Sequence, residues 1–239
     1  MKKRTLFGVS LLAMLILISA GFNISSDSNS LDVKDNIPVD EFSSVGISVS
    51  ASVYLEQGNT HSLEIDASEK VLEEIEVEVK NGKLLIKPED YKTKFREEIN
   101  IYIVSPEYES VELAGSGKVI AEGKMNLDDV VLKIAGSGYM KFDELSADEV
   151  EIKMSGSGSM DLKGTGSEEL SVSIAGSGNM NAENFQVDEF DAKISGSGSC
   201  KVYVTGELDA SIAGSGSIYY KGSPQVESSV AGSGKVKKL

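Results

Sequence analysis

VEIKMSGSGSMDL, residues 150–162, decides the fold. Val150, Ile152, Met154, Gly156, Gly158, Met160 and Leu162 alternate with Glu151, Lys153, Ser155, Ser157, Ser159 and Asp161. That period of two marks a strand with one buried face, because successive side chains point to opposite sides. Uninterrupted, the strand would be unusually long. The two glycines, both on the inward parity, leave room for a sharp corner whose inside holds no larger residue. Two short strands meeting at a Gly-Ser-Gly corner are expected.

The triplet recurs seven times, with paired glycines at Gly115 and Gly117, Gly136 and Gly138, Gly156 and Gly158, Gly176 and Gly178, Gly196 and Gly198, Gly214 and Gly216, and Gly232 and Gly234. The intervals are 21, 20, 20, 20, 18 and 18 residues. A fixed period of this size means a stack of equivalent units. Leu170, Val172 and Ile174, then Phe190, Ala192 and Ile194, then Leu208, Ala210 and Ile212 repeat the alternation. Segments 142–148, 164–167 and 222–225 are expected to turn the chain back. The fold class is therefore all-β: a parallel β-solenoid (β-helix) with coils about 4.8 Å apart. The hexapeptide period of a left-handed triangular solenoid is absent, so the right-handed form is expected.

The first half is less regular. Ile47, Val49, Ala51, Val53 and Leu55 alternate strictly, with Ser50-Ala51-Ser52 where later units carry glycines. Residues 63–65, 75–79, 84–86 and 99–104 are further strand candidates, and Asn81-Gly82 is a hairpin turn between two of them. Residues 31–110 are expected to form divergent, partly antiparallel opening coils, continuous with the repeats of 111–239 in one domain, since terminal repeats are usually atypical. The last unit ends in Lys235, Lys237 and Lys238, and lysines on an edge strand discourage pairing with another chain. A monomer is expected, with an end-to-end dimer as the alternative.

Lys2, Lys3 and Arg4 precede an apolar run over 6–18 and a small-residue exit at Ser19-Ala20-Gly21, the pattern of an export signal over 1–21. The run is short of the ~20 residues a spanning helix needs, so no transmembrane span is expected in the mature chain. Phe22 stands near the place where a lipid anchor would need a cysteine, and 22–30 is a polar, flexible leader. Removing three basic residues leaves 20 Lys+Arg against 38 Asp+Glu, a net −18 from the full chain's −15. So acidic a surface excludes nucleic acid as a partner. Cys200 is the only cysteine and shares its repeat position with Met160 and Met180, which suits a core residue.

The Ala/Ser-Gly-Ser-Gly run, preceded by Val53-Tyr54-Leu55-Glu56-Gln57-Gly58 and Ile101-Tyr102-Ile103-Val104-Ser105-Pro106, resembles the head GIN domain family of putative autotransporter adhesins over roughly 40–239. The resemblance implies an exported bacterial β-helix at the cell exterior or in the periplasm. Many members look lipid-anchored, and this chain lacks the cysteine for it.

Chemistry is thinly supplied. None of the seven triplets is followed by the Lys-Ser/Thr pair of a P-loop, and only the third offers the aspartate, Asp161, that a calcium-binding roll needs in every copy. His61 is the only histidine and is expected to be an exposed bystander beside a turn. A polysaccharide lyase wants basic residues, yet Arg96 is the only arginine after the signal, and there is no tryptophan to line a sugar cleft. No residue is assigned to catalysis, a cofactor or a metal. The one surface feature that stands out is an acidic column seven residues before each corner: Asp129, Glu149, Glu169, Glu189 and Glu207. It reads as a solvated face, or more sharply as a docking strip for a basic partner or a weak cation site. The expected function is a non-enzymatic structural or adhesion module of the cell envelope, bound to a glycan or protein. A polysaccharide-processing enzyme on the same scaffold is the alternative.

Overall fold

The first half of the chain builds the base of a stack and the second half extends it. The computed structural model describes residues 32–93 and 95–239; the expected signal (1–21) and leader (22–30) lie outside the described residues. The base comprises β1 (Asp32–Ile37), β2 (Ser44–Ile47), β3 (Ser52–Gln57), β4 (Ser62–Ser68), the short helix α1 (Glu69–Leu72), β5 (Ile75–Lys80), β6 (Lys83–Pro88) and β7 (Asn100–Ser105). The repeats supply β8 (Ser110–Gly115), β9 (Lys118–Asn126), β10 (Asp129–Gly136), β11 (Tyr139–Ser146), β12 (Glu149–Gly156), β13 (Ser159–Gly176), β14 (Asn179–Gly196), β15 (Ser199–Gly214), β16 (Ser217–Gly222), β17 (Gln225–Gly232) and β18 (Lys235–Lys238). Together they form a β-solenoid, the architecture the repeat period implies.

Pairing through the repeats is parallel, in register along the glycine row and with register shifts on the returning arm of β9, β11, β13, β14 and β15. Gly136 faces Gly115 on one side and Gly156 on the other, and Gly156, Gly176, Gly196, Gly214 and Gly232 continue the row. The base follows a different order. β2 lies between β6 and β8, and β3 between β7 and β9, so the coil that comes first in the chain is second in the stack. The rung of β6 and β7 is in turn covered by antiparallel partners, β5 on β6 and β4 on β7, with β1 beyond β4. The β5–β6 turn is the Asn81-Gly82 pair, both at positive φ (51° and 73°), as a tight hairpin of this kind demands.

The corners differ from expectation in one respect. Only the second glycine of each pair faces inward; the first lies at the bend, with exposed neighbours on both sides. Gly156 has φ 112°, and a Cβ there would lie 2.5 Å from the carbonyl oxygen of Gly136 in the rung before. That oxygen accepts the Ser157 N–H at 2.9 Å, so the approach of backbone to backbone is itself a ladder bond. A Cβ on Gly158 would meet Ile134 Cγ2 at 2.6 Å inside the coil. One glycine therefore serves the stacking direction and the other the interior. The turn back is also more ordered than expected: β11 runs on to Ser146, and only Ala147 and Asp148 separate it from β12, both still hydrogen-bonded to neighbouring rungs.

The interior is a set of apolar columns, among them Ile134, Met154, Ile174, Ile194 and Ile212, all buried. Met140, Met160, Met180, Cys200 and Ile218 form another, and Phe142, Phe185 and Phe190 fill the wider places. Burial pushes the Cys200 thiol up to about 12, so it stays protonated and inert. In the last coil the same parity is less covered: Val226 is 43% and Val230 40% exposed.

Candidate functional site

Outward positions form columns too, and one of them makes a groove. Register sets Tyr54 between Tyr102 on β7 and Ile120 on β9, so two tyrosines and an isoleucine stand on successive rungs of the outer face. The tyrosine rings stack with centroids 5.1 Å apart and planes 14° from parallel. At that separation the stack is offset rather than face to face. Tyr102 and Tyr54 lie five residues before Glu107 and four before Gly58 respectively, well clear of the glycine corners.

Beside this wall β9 carries a bulge. Between Ala121 and Lys124 it spends three steps where β11 spends two from Phe142 to Glu144. This is where the single 21-residue interval places its extra residue, and such bulges re-aim neighbouring side chains. Glu122, Gly123 and Lys124 turn outward together and are all exposed. The result is a groove of about 410 Å³ whose lining includes Tyr54, Tyr102, Val104 and Ile120 together with Glu56, Glu122, Gly123 and Lys124. One end is tied down. The Gln57 amide donates to Pro106 O (3.0 Å) and Asn126 O (2.8 Å) and accepts from Asn126 N–H (2.7 Å), tying three rungs together.

Further along the same face the outward residues pair with one another. The Tyr139 hydroxyl donates to Asp161 at 2.6 Å; burial first and then that carboxylate push its pKa up to about 12. Asp143 sits between Lys141 and Lys163, chiefly hydrogen-bonded to Lys141, and is held below the usual carboxylate range. On the opposite side of the glycine row Glu112 bridges Lys83 and Lys133. Lys83 reaches it past Gly46, where a Cβ would meet the Lys83 side chain at 2.8 Å.

The acidic column is assembled by the ladder: Asp129, Glu149, Glu169, Glu189 and Glu207 face one another rung by rung, followed by Gln225. Asp128, Asp148 and Glu168, one residue earlier, widen it into a ridge, with Asp148 N–H donating to Asp128 O and Glu168 N–H to Asp148 O. Asp129 and then Glu169 raise the pKa of Glu149 above its usual 4.5. Among the described residues no three His, Cys, Asp or Glu side chains are grouped to hold a metal ion.

His61 departs from expectation. It is half-buried, its ring 5.0 Å from that of Phe42, with Nδ1 3.3 Å from Ser105 Oγ. The pairing resembles a nucleophile and base only by residue type. Ser105 is 0% exposed, and its hydroxyl also lies 3.0 Å from Phe42 O and 2.9 Å from Glu107 O. It pins the entry to the first coil. Sequence spacing gave no sign of it, because 44 residues separate the two.

A sequence model of the family described as "Putative auto-transporter adhesin, head GIN domain" matches residues 41–224. No curated protein matches the chain. Among solved structures, a putative adhesin from Bacteroides fragilis is 26% identical, with a TM-score of 0.80 over 88% of this chain and 98% of that one. A putative lipid binding protein from Parabacteroides distasonis is also 26% identical, with a TM-score of 0.74 over 87% of this chain and 96% of that one. A putative adhesin from Parabacteroides merdae is 25% identical, with a TM-score of 0.62 over 87% and 96%. No helix among the described residues is long and apolar enough to cross a membrane.

Proposed function

Since the chain belongs to the head GIN domain family of putative auto-transporter adhesins, we propose that it is a non-enzymatic binding module that works outside the cytoplasm at the cell envelope. The outer face of its stacked coils presents the Tyr54–Tyr102 groove to a partner. One observation carries this: a stacked aromatic pair, Tyr102 exposed and Tyr54 half-buried, is fixed on a hydrogen-bonded stack of parallel strands, where the backbone has little freedom left to lose on binding. The acidic ridge serves solubility and keeps neighbouring rods apart. The test is retention of the full chain on isolated bacterial cell envelopes, compared with a Tyr54→Ala/Tyr102→Ala variant of unchanged melting temperature. Loss of retention in the variant is expected. Equal retention would remove the groove from the function, and release of a soluble sugar product from the envelopes would overturn the non-enzymatic assignment.

A further inference from the structure

The groove's own chemistry narrows its occupant, on the premise that it is the binding face. We propose that it takes a saccharide without acidic groups, uncharged or amine-bearing, as one or two rings of a longer glycan chain. Its volume, about 410 Å³, lies at the small end for ligand sites. It is a groove open to solvent, so a chain longer than the groove passes through.

Polarity argues for a sugar rather than an acyl chain. The lining is apolar or aromatic at Tyr54, Tyr102, Val104 and Ile120, and charged at the carboxylates of Glu56 and Glu122 and the ammonium of Lys124. A pyranose has the same two-sidedness, with C–H groups on one face and hydroxyls at its rim. The aromatic side chains of Tyr54 and Tyr102 in the lining suit the first, and carboxylate acceptors suit the second. An acyl chain would leave both carboxylates facing hydrocarbon without partners, an unfavourable arrangement.

Charge excludes the acidic sugars. Two carboxylates against one ammonium give the groove a net negative charge, on a chain of net −15. The nearby Lys141 is paired first with Asp143, although Glu122 also attracts it. Uronates and phosphorylated sugars would meet like charge, and an amino sugar would meet attraction.

The bulge supplies the test. A Cβ at Gly123 would have nothing within 4 Å, and its backbone is not in the positive-φ region that favours glycine. Gly123→Leu therefore folds unhindered while adding an isobutyl group at a residue that lines the groove. Saturation-transfer NMR and calorimetry on the full chain would use cellobiose, a glucosamine disaccharide, digalacturonate and dodecanoate. Both non-acidic disaccharides are expected to bind and digalacturonate to fail. Gly123→Leu and Tyr54→Ala should each weaken binding at least tenfold. Glu122→Gln should shrink the preference for glucosamine disaccharide over cellobiose by about two- to fivefold, the range of an exposed ion pair. Binding confined to digalacturonate or to dodecanoate, or sugar binding indifferent to Gly123→Leu, would overturn the inference. If Gly123→Leu abolishes retention on cell envelopes while none of the sugars binds, the saccharide inference falls and the binding function stands. If the unaltered chain is not retained, the function itself falls.

Discussion

Gly156→Ala isolates what the corner glycines do. Alanine at φ 112° enters backbone territory that L-residues rarely occupy, at a cost of about 1–3 kcal/mol. Its Cβ would also lie 2.5 Å from Gly136 O, 3.1 Å from the carbonyl carbon and 3.2 Å from Cα. None of these is the movable end of a side chain. Displacing the oxygen lengthens its bond to Ser157 N–H, adding about 0.5–1.5 kcal/mol. The sum is roughly 2–4 kcal/mol. Gly115 is the internal control: its φ is 104°, yet a Cβ there has nothing within 4 Å, because no glycine corner lies beneath it. Gly115→Ala should lose the conformational part alone, about 1–3 kcal/mol, and Ser157→Ala on the exposed tip no more than about 0.5 kcal/mol. Urea unfolding at neutral pH, followed by circular dichroism with comparison of midpoints and slopes, measures all three. Equal losses at Gly115 and Gly156 would show that the rung-to-rung approach contributes nothing. A Gly156→Ala variant within about 0.5 kcal/mol of the parent would refute the corner account altogether.

Three further outcomes follow from side-chain electrostatics. Glu149 has a folded-state pKa raised by Asp129 and Glu169, so the folded form binds its proton more readily than the unfolded chain, whose value is near 4.5. Its ionisation therefore weakens the fold above that window, and stability returns as the pH falls through the raised pKa. Glu149→Gln should raise the melting temperature at pH 7 in low salt, and the gain should vanish in about 1 M salt, where the screening length is about 3 Å. Glu112 behaves oppositely: partial burial pushes its pKa up, but hydrogen bonds from Lys133 and Lys83 outweigh this and hold it low. Its contribution is present above the unfolded value and lost as the pH falls through the folded one, so Glu112→Gln should cost about 0.5–1 kcal/mol at pH 7 and little in acid melts. Cys200 should resist a thiol reagent at pH 8 in the native protein and react at once in denaturant, since burial keeps it protonated.

The repeats were legible because their determinants are local. Alternation of Val150, Ile152 and Met154 against Glu151 and Lys153 predicts an inward face, and each of the three is buried. The role of Gly156 was less visible, since a period of two cannot distinguish a residue pointing inward from one pressed along the stack. The base was legible as strands but not as an order. Tyr54 and Tyr102 carried no sign of being neighbours, because β7 joins β3 only after β4, β5 and β6 have intervened. The bulge did leave a trace, the one interval of 21 residues, but a count alone does not say on which face the extra residue lies. His61 and Ser105 met for the same non-local reason as the tyrosines. The acidic column was predicted from spacing and is aligned by the ladder. Its companion row of Asp128, Asp148 and Glu168 becomes adjacent only at the bend.

The interleaving of β2 and β3 between a later rung and the repeats bears on how the chain acquires its shape. The earliest coil has no partner on either side until residues 83–113 have emerged, so closure of long loops precedes any reward from pairing, a slow route. Thereafter each new coil finds a finished edge to copy, and growth proceeds like a zipper toward the carboxyl terminus. We expect truncations from that terminus to shorten the rod in increments, each detectable as a smaller unfolding enthalpy. Excision of 83–105 should instead lower the whole cooperative transition, because it uncovers the coil of β2 and β3 on which the repeats are laid.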